Sequence, residues 1–237
     1  MPFPRKLGPG KINYLDPRFR ENDDLFSDSI LFIRVVLILM MALVYVLLAY
    51  LLGSVSFAVI SSWLFKLPDP RTYGSKNPGA TNVLRSGKKA AAVLTLLGDA
   101  GKGFLAVALA QYMGLPNAVI AAVALAVFLG HVFPVFLRFQ GGKGVATAVG
   151  VLLGLNLWVG LSAMATWLLV AVIWRISSLS ALLAAMLTPL YAIIFMGFEV
   201  VTLAVPVISL LLIWRHKSNI FNLIEGKEGR IGKKPAP

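Results

Sequence analysis

Two glycine-rich basic segments carry the residues best suited to chemistry in this chain. The first runs Arg71-Thr-Tyr-Gly-Ser-Lys-Asn-Pro-Gly-Ala-Thr-Asn-Val-Leu-Arg85, and the second Arg138-Phe-Gln-Gly-Gly-Lys143-Gly-Val-Ala-Thr147. Glycine lets bare backbone amides approach a ligand closely, and lysine and arginine add positive charge. That combination is suited to holding a phosphate. The candidate phosphate-binding residues are Gly74, Ser75, Asn77, Gly79, Asn82 and Arg85 in the first segment, with Gly141, Gly142 and Lys143 in the second. The first segment also leads into a helix, whose N-terminus favours anions. Read more plainly, Gly141-Gly142 is a tight turn and Lys143 a marker of topology. Neither segment is a Walker A loop, because Lys143 is followed by Gly144 and Gly87-Lys88 by Lys89. The shared pattern Arg-x-x-Gly-x-Lys, at Arg71 and at Arg138, reads either as a faint internal repeat or as chance.

Three further groups stand out. Asp99 and Lys102 lie at i, i+3 inside an apolar run, where mutual neutralisation on one helix face is the plain reading. His131, in Gly130-His-Val-Phe-Pro134, reads as a hydrogen-bonded structural group. The run Trp214-Arg215-His216-Lys217-Ser218-Asn219 reads as an interface anchor, and it is also a cluster of donors that fits a phosphate cage. The chain has no cysteine, which excludes disulfides and thiolate chemistry. Two histidines and ten acids show no ligand spacing, so neither a metal nor a cofactor is expected.

These residues must be positioned by membrane helices. Of 237 residues, 58% are hydrophobic and only 14% charged, against about 45–50% and about 25% for soluble domains. A span needs roughly 20 apolar residues. Seven are expected, over about 35–65 (interrupted at Gly53-Ser-Val-Ser-Phe57), 90–112, 117–137, 144–158, 159–174, 179–197 and 199–214. The apolar run from Val145 to Trp174 is read as two helices, turned at Gly154-Leu-Asn156. The fold class is therefore all-α: a polytopic bundle of seven transmembrane helices, with re-entrant or loop segments at the cytoplasmic face. Its domains are a disordered polar leader over 1–34, a transmembrane domain over 35–216 and a basic tail over 217–237. Met40 and Met41, inside the first run, raise the reading of an over-extended start.

Residues 1–30 hold five basic and five acidic residues, so the net charge of +12 lies entirely beyond them. Basic residues fill 66–89, 138–143 and the tail after Trp214, and Arg175 stands alone between two runs. The loops 113–116, 154–160 and 197–199 contain none. Seven spans place all the basic loops on one side, which should be cytoplasmic, with the N-terminus outside.

Taken together, the motifs resemble the bacterial membrane acyl-phosphate:glycerol-3-phosphate acyltransferases, the PlsY family. The resemblance covers about 42–232. It rests on Ala49-Tyr-Leu-Leu-Gly-Ser54, Gly74 to Arg85, Gly98-Asp-Ala-Gly-Lys-Gly103, Gly130 to Phe136, Phe139 to Thr147, Arg215-His216, Asn219-Ile220 and Gly226. It implies transfer of a fatty acyl group from a long-chain acyl phosphate to the first hydroxyl of glycerol 3-phosphate, at a site facing the cytoplasm of a bacterial inner membrane. It places the functional residues on Ser75, Arg85, Lys143, His216 and Asn219. Membrane lipid and an enzyme that supplies acyl phosphate are the partners implied, and nucleic acid is not one. The family motif usually reads Gly-Ser-Gly-Asn, whereas Lys76 stands at its middle glycine here. The rival function class is a transporter for a phosphorylated metabolite, using the same cationic loops.

Overall fold

The computed structural model describes residues 17–231 and is all-helical, with no strand among the described residues. The chain divides into two units, Met1–Leu43 and Val44–Pro237, and the second contains every candidate site residue. Helix α1 spans Pro17–Ser54. The leader expected to be disordered over 1–34 is thus helical from Pro17 onward, and its first 16 residues lie outside the described residues. Pro17 occupies the first helical position, where its missing N–H costs nothing.

The expected break after Gly53 is real. Helix α1 stops at Ser54, and a short helix α2, Phe57–Leu64, follows. A single turn, α3 (Ala80–Leu84), sits inside the first glycine-rich segment, so the helix expected there is only five residues long. The longer helices are α4 (Lys89–Tyr112), α5 (Asn117–Val132), α6 (Val145–Leu155), α7 (Leu157–Trp174), α8 (Ser177–Met196) and α9 (Ala204–Arg215). A terminal helix, α10, covers Lys217–Ile224. The break between α6 and α7 falls at Asn156, whose side chain caps α7 by accepting from the amides of Trp158 and Val159.

Among the described residues, five helical stretches are long and apolar enough to cross a membrane: 29–54, 89–112, 117–137, 157–174 and 177–196. The segment Val200–Arg215 with Lys217–Ile224, bent by 57°, makes a sixth if counted as one span. Helix α6 is apolar but has only 11 residues. At about 1.5 Å per residue it is about 16 Å long, short of a hydrocarbon core of about 30 Å.

The helices pack through small residues, as bundles in lipid do. A Cβ on Gly103 or Gly150 would overlap the backbone of Thr147 or of Ala100, so α4 and α6 touch backbone to backbone. Gly53 and Gly130 bring α1 and α5 together in the same way. The core is accordingly rich in alanine and valine, with Phe128 its largest fully buried side chain. Interhelical hydrogen bonds add register. Ser61 and Thr95 join α2 to α4 at 2.6 Å, and the Tyr50 hydroxyl donates to the Phe133 carbonyl at 2.7 Å.

Candidate active site

The basic segments converge at one end of the bundle. Lys143 Nζ donates to Asn219 Oδ1. Asn219 Nδ2 donates to Glu228 Oε1 at 2.7 Å, and the Ser178 hydroxyl donates to the same oxygen at 2.7 Å. Arg215 Nη2 donates to the carbonyls of Gly141 and Gly142 at 3.1 and 3.3 Å. Thr81 and Ser177 hydroxyls lie 3.2 Å apart, and the Ile231 amide donates to the Arg175 carbonyl at 2.7 Å. Arg85 reaches over Gly74 and toward Gly229. Residues far apart in sequence therefore gather at one cationic end of the bundle. At the other end of the bundle, Gln111 Nε2 donates to the Leu155 carbonyl at 3.2 Å, which groups two of the uncharged loops.

Local folding explains these positions. The first glycine-rich segment is held from within by Asn82. Its Nδ2 donates to the carbonyls of Pro70 and Tyr73 at 2.7 and 3.2 Å, and its Oδ1 accepts from the Ser75 amide at 2.9 Å. Asn82 is buried and fully engaged, so it serves the site by shaping the loop. Ser75 and Arg85 stay exposed at the loop surface, with Gly74 beside Arg85 at φ +58°. Asn77 packs against Gly79, the residue that opens α3. Arg71 is engaged by Asp69 in a 2.6 Å ion pair, which leaves Arg85 as the available arginine of this loop.

Lys76 takes φ +55°, the left-handed region that favours glycine. That geometry accounts for the glycine usual at this place in the family pattern. Lys76 is exposed, while Lys143 is half-buried and paired, so the two Arg-x-x-Gly-x-Lys segments do not place their lysines alike.

In the second segment the Gly142 amide donates to the His131 carbonyl at 3.2 Å. That amide is thus engaged within the fold, and the loop's contribution to an anion falls mainly to Lys143. Burial lowers the pKa of the Lys143 ammonium; the Glu228 carboxylate opposes this, and Arg215 and Arg85 add to it. His216 is buried, and its Nδ1 lies 2.8 Å from the Leu212 carbonyl. A carbonyl only accepts, so Nδ1 carries a proton, and a neutral ring keeps Nε2 as acceptor. An apolar cleft of about 30 Å³ opens beside the site between α6, α7, α8 and α9. It begins at Val145, two residues past Lys143, and includes Leu212.

The expected residues Lys143, Asn219, Arg85 and His216 are brought together at this end. Glu228 and Ser178 were missed. The signal available was a lone pair of acids, Glu225 and Glu228, in an otherwise basic tail.

The profile of the family described as glycerol-3-phosphate acyltransferase matches residues 43–226. The chain belongs to that family. The glycerol-3-phosphate acyltransferase of Nitrosospira multiformis is 67% identical over 190 residues, covering 78% of this chain and 94% of that protein. The corresponding protein of Nitrosomonas europaea is 63% identical over 198 residues, covering 82% and 99%. Among solved structures, PlsY, an integral membrane glycerol 3-phosphate acyltransferase, superposes with a TM-score of 0.77 in its glycerol 3-phosphate form. That match has 38% identity and covers 81% of this chain and 96% of that one. The lysophosphatidic acid form gives 0.75 at the same identity. The resemblance read from the motifs holds. The chain is an acyltransferase of phospholipid synthesis, and a transporter is not favoured.

Proposed function

We propose that this protein transfers a fatty acyl group from a long-chain acyl phosphate to the sn-1 hydroxyl of glycerol 3-phosphate. The products are 1-acylglycerol 3-phosphate and phosphate. The observation that carries the reading is the convergence of Arg85, Lys143, Arg215, His216 and Asn219 at one end of an apolar bundle, beside an apolar cleft. Three cations close to one another, with Glu228 nearby as counter-charge, need an anion to be stable together.

Acyl phosphate is already activated, so positioning and charge stabilisation are the main requirements. The sn-1 oxygen attacks the acyl carbonyl carbon and forms the ester bond. The bond from that carbon to the phosphate oxygen breaks, and phosphate leaves with the electron pair. Arg85 and Lys143 hold the phosphates, Ser75 and Asn219 orient substrate, and the acyl chain lies between the helices, entering from the bilayer. The hydroxyl proton has two acceptors, the basic departing phosphate and His216 Nε2; loss of the acid limb of the rate profile in His216→Gln would single out the histidine.

The reading includes seven membrane segments, with α6 and α9 as the short ones, a site on the cytoplasmic side of a bacterial inner membrane, and a leader over 1–34 dispensable for transfer. Convergence of the basic loops supports that orientation. The donor is tested by incubating purified protein with glycerol 3-phosphate and either acyl phosphate or an acyl thioester. Acylated product is expected from acyl phosphate alone, and equal product from the thioester would overturn the donor assignment.

A further inference from the structure

Asp99, Lys102 and His131 are buried in the bundle, and the transfer step gives them no role. Lys102 Nζ lies 2.8 Å from Asp99 Oδ1 and donates to the Val55 carbonyl at 2.6 Å. The same carboxylate oxygen accepts from the Phe57 amide at 3.5 Å and has His131 Nδ1 at 3.5 Å. One carboxylate thus ties α4 to the break between α1 and α2, and to the last turn of α5.

The far side of His131 is the glycine loop. Its carbonyl accepts the Gly142 amide at 3.2 Å. A Cβ on Gly142 would overlap the His131 ring at Nε2, and one on Gly141 would overlap the His131 carbonyl. The loop therefore lies directly on this histidine, with no side chain between. Gly142 precedes Lys143, and both glycine carbonyls are held from outside by Arg215. The segment after His131 is also fixed, by Tyr50 on the Phe133 carbonyl and by the Val135 amide on the Ser54 hydroxyl at 3.3 Å. A buried charge set of this kind is costly in lipid, and charges retained there as a rule pair or serve a site. Its contacts run to the loop that carries the central cation.

We propose that Asp99 and His131 are positioning residues for Lys143. Through Lys102 and the α1–α2 break they fix the height of the Gly141–Lys143 loop, and so the place of the ammonium that meets substrate phosphate. The proposal rests on the reading of Lys143 as a phosphate-binding group.

The test is a double-mutant cycle on the full chain, with glycerol 3-phosphate and a medium-chain acyl phosphate. Asp99→Asn keeps the shape and removes the charge. Asp99→Asn/Lys102→Met removes both charges together and carries the same cycle if the single variant does not fold. Either replacement is expected to raise KM for glycerol 3-phosphate about fivefold or more, with a smaller change in kcat. In a Lys143→Arg background the same replacement should change KM less than twofold, because groups acting through one another are not additive (coupled pairs differ by roughly 2- to 100-fold). A merely structural role would instead lower thermal stability and active fraction, leave KM unchanged and give effects that multiply; that result overturns the proposal. Lys143→Ala alone separates the two readings. If it is unimpaired, the phosphate-site reading fails and takes this proposal with it. If it is impaired while the effects multiply, this proposal alone fails.

Discussion

Replacing Lys143 by alanine removes the cation on which the candidate site centres. In the folded chain its ammonium donates to Asn219 Oδ1, and Asn219 in turn holds Glu228. The change thus strips a charged hydrogen bond from Asn219 and leaves Glu228 less balanced. With substrate bound it also removes a contact to phosphate. Hydrogen bonds to charged groups contribute about 1.5–3 kcal/mol each. One such loss in the transition state corresponds to a fall of about tenfold to over a hundredfold in rate. The assay is phosphate release from acyl phosphate at low glycerol 3-phosphate, with folding checked in detergent. Arg85→Ala should fall in the same range. Lys88→Ala and Lys89→Ala are the controls, being exposed charges at the start of α4. Burial lowers the Lys143 pKa, and the charged form is the one required. Activity should therefore decline as pH rises through that lowered value, at a pH below that of an ordinary lysine. In Lys143→Arg this alkaline limb should vanish, since a guanidinium stays charged, while the rate stays below wild type because a planar fork does not replace a compact ammonium. Near-normal rates in both alanine variants would refute the cage, and equal falls in all four would point to general surface charge.

Lys76→Gly should leave the fold intact and shift stability by no more than about 1 kcal/mol, because relief of the left-handed strain offsets the extra freedom of the unfolded chain; a thermal midpoint far below wild type would contradict the reading of φ +55°. Cysteine tags at Lys88 and Gly229 should both label from the cytoplasmic side, and labelling from opposite sides would break the seven-segment topology. A protein starting at Met41 should retain activity in membranes, since the family match begins at residue 43; loss of activity at normal expression would give the leader a role.

Much of this arrangement was legible in the residues. Apolar length and the interruptions at Gly53 and Gly154-Leu-Asn156 located the helices and their breaks, because small residues and a capping asparagine act locally. The cations of the site were readable because lysine, arginine and glycine stand out in apolar sequence. Other features depended on tertiary contact. Asn82 was read as a ligand, but its amide fits three partners of its own loop, which only the folded turn reveals. Glu228 belongs to the site through Ser178, 50 residues away, and no local pattern marks that pair. Helix α6 was read as a span from its hydropathy, yet Gly144 at φ +86° and Asn156 confine it to 11 residues. The Asp99–Lys102 pair was predicted by its spacing, whereas its link through His131 to the glycine loop was not.

The most direct test of the central claim, direct transfer within a cationic phosphate cage, is the time course of phosphate release from acyl phosphate in the first turnover. Direct attack predicts no release without glycerol 3-phosphate and release matched one-for-one by acylated product when it is present. A burst of phosphate stoichiometric with enzyme in its absence would mean an acylated enzyme, and would contradict the account.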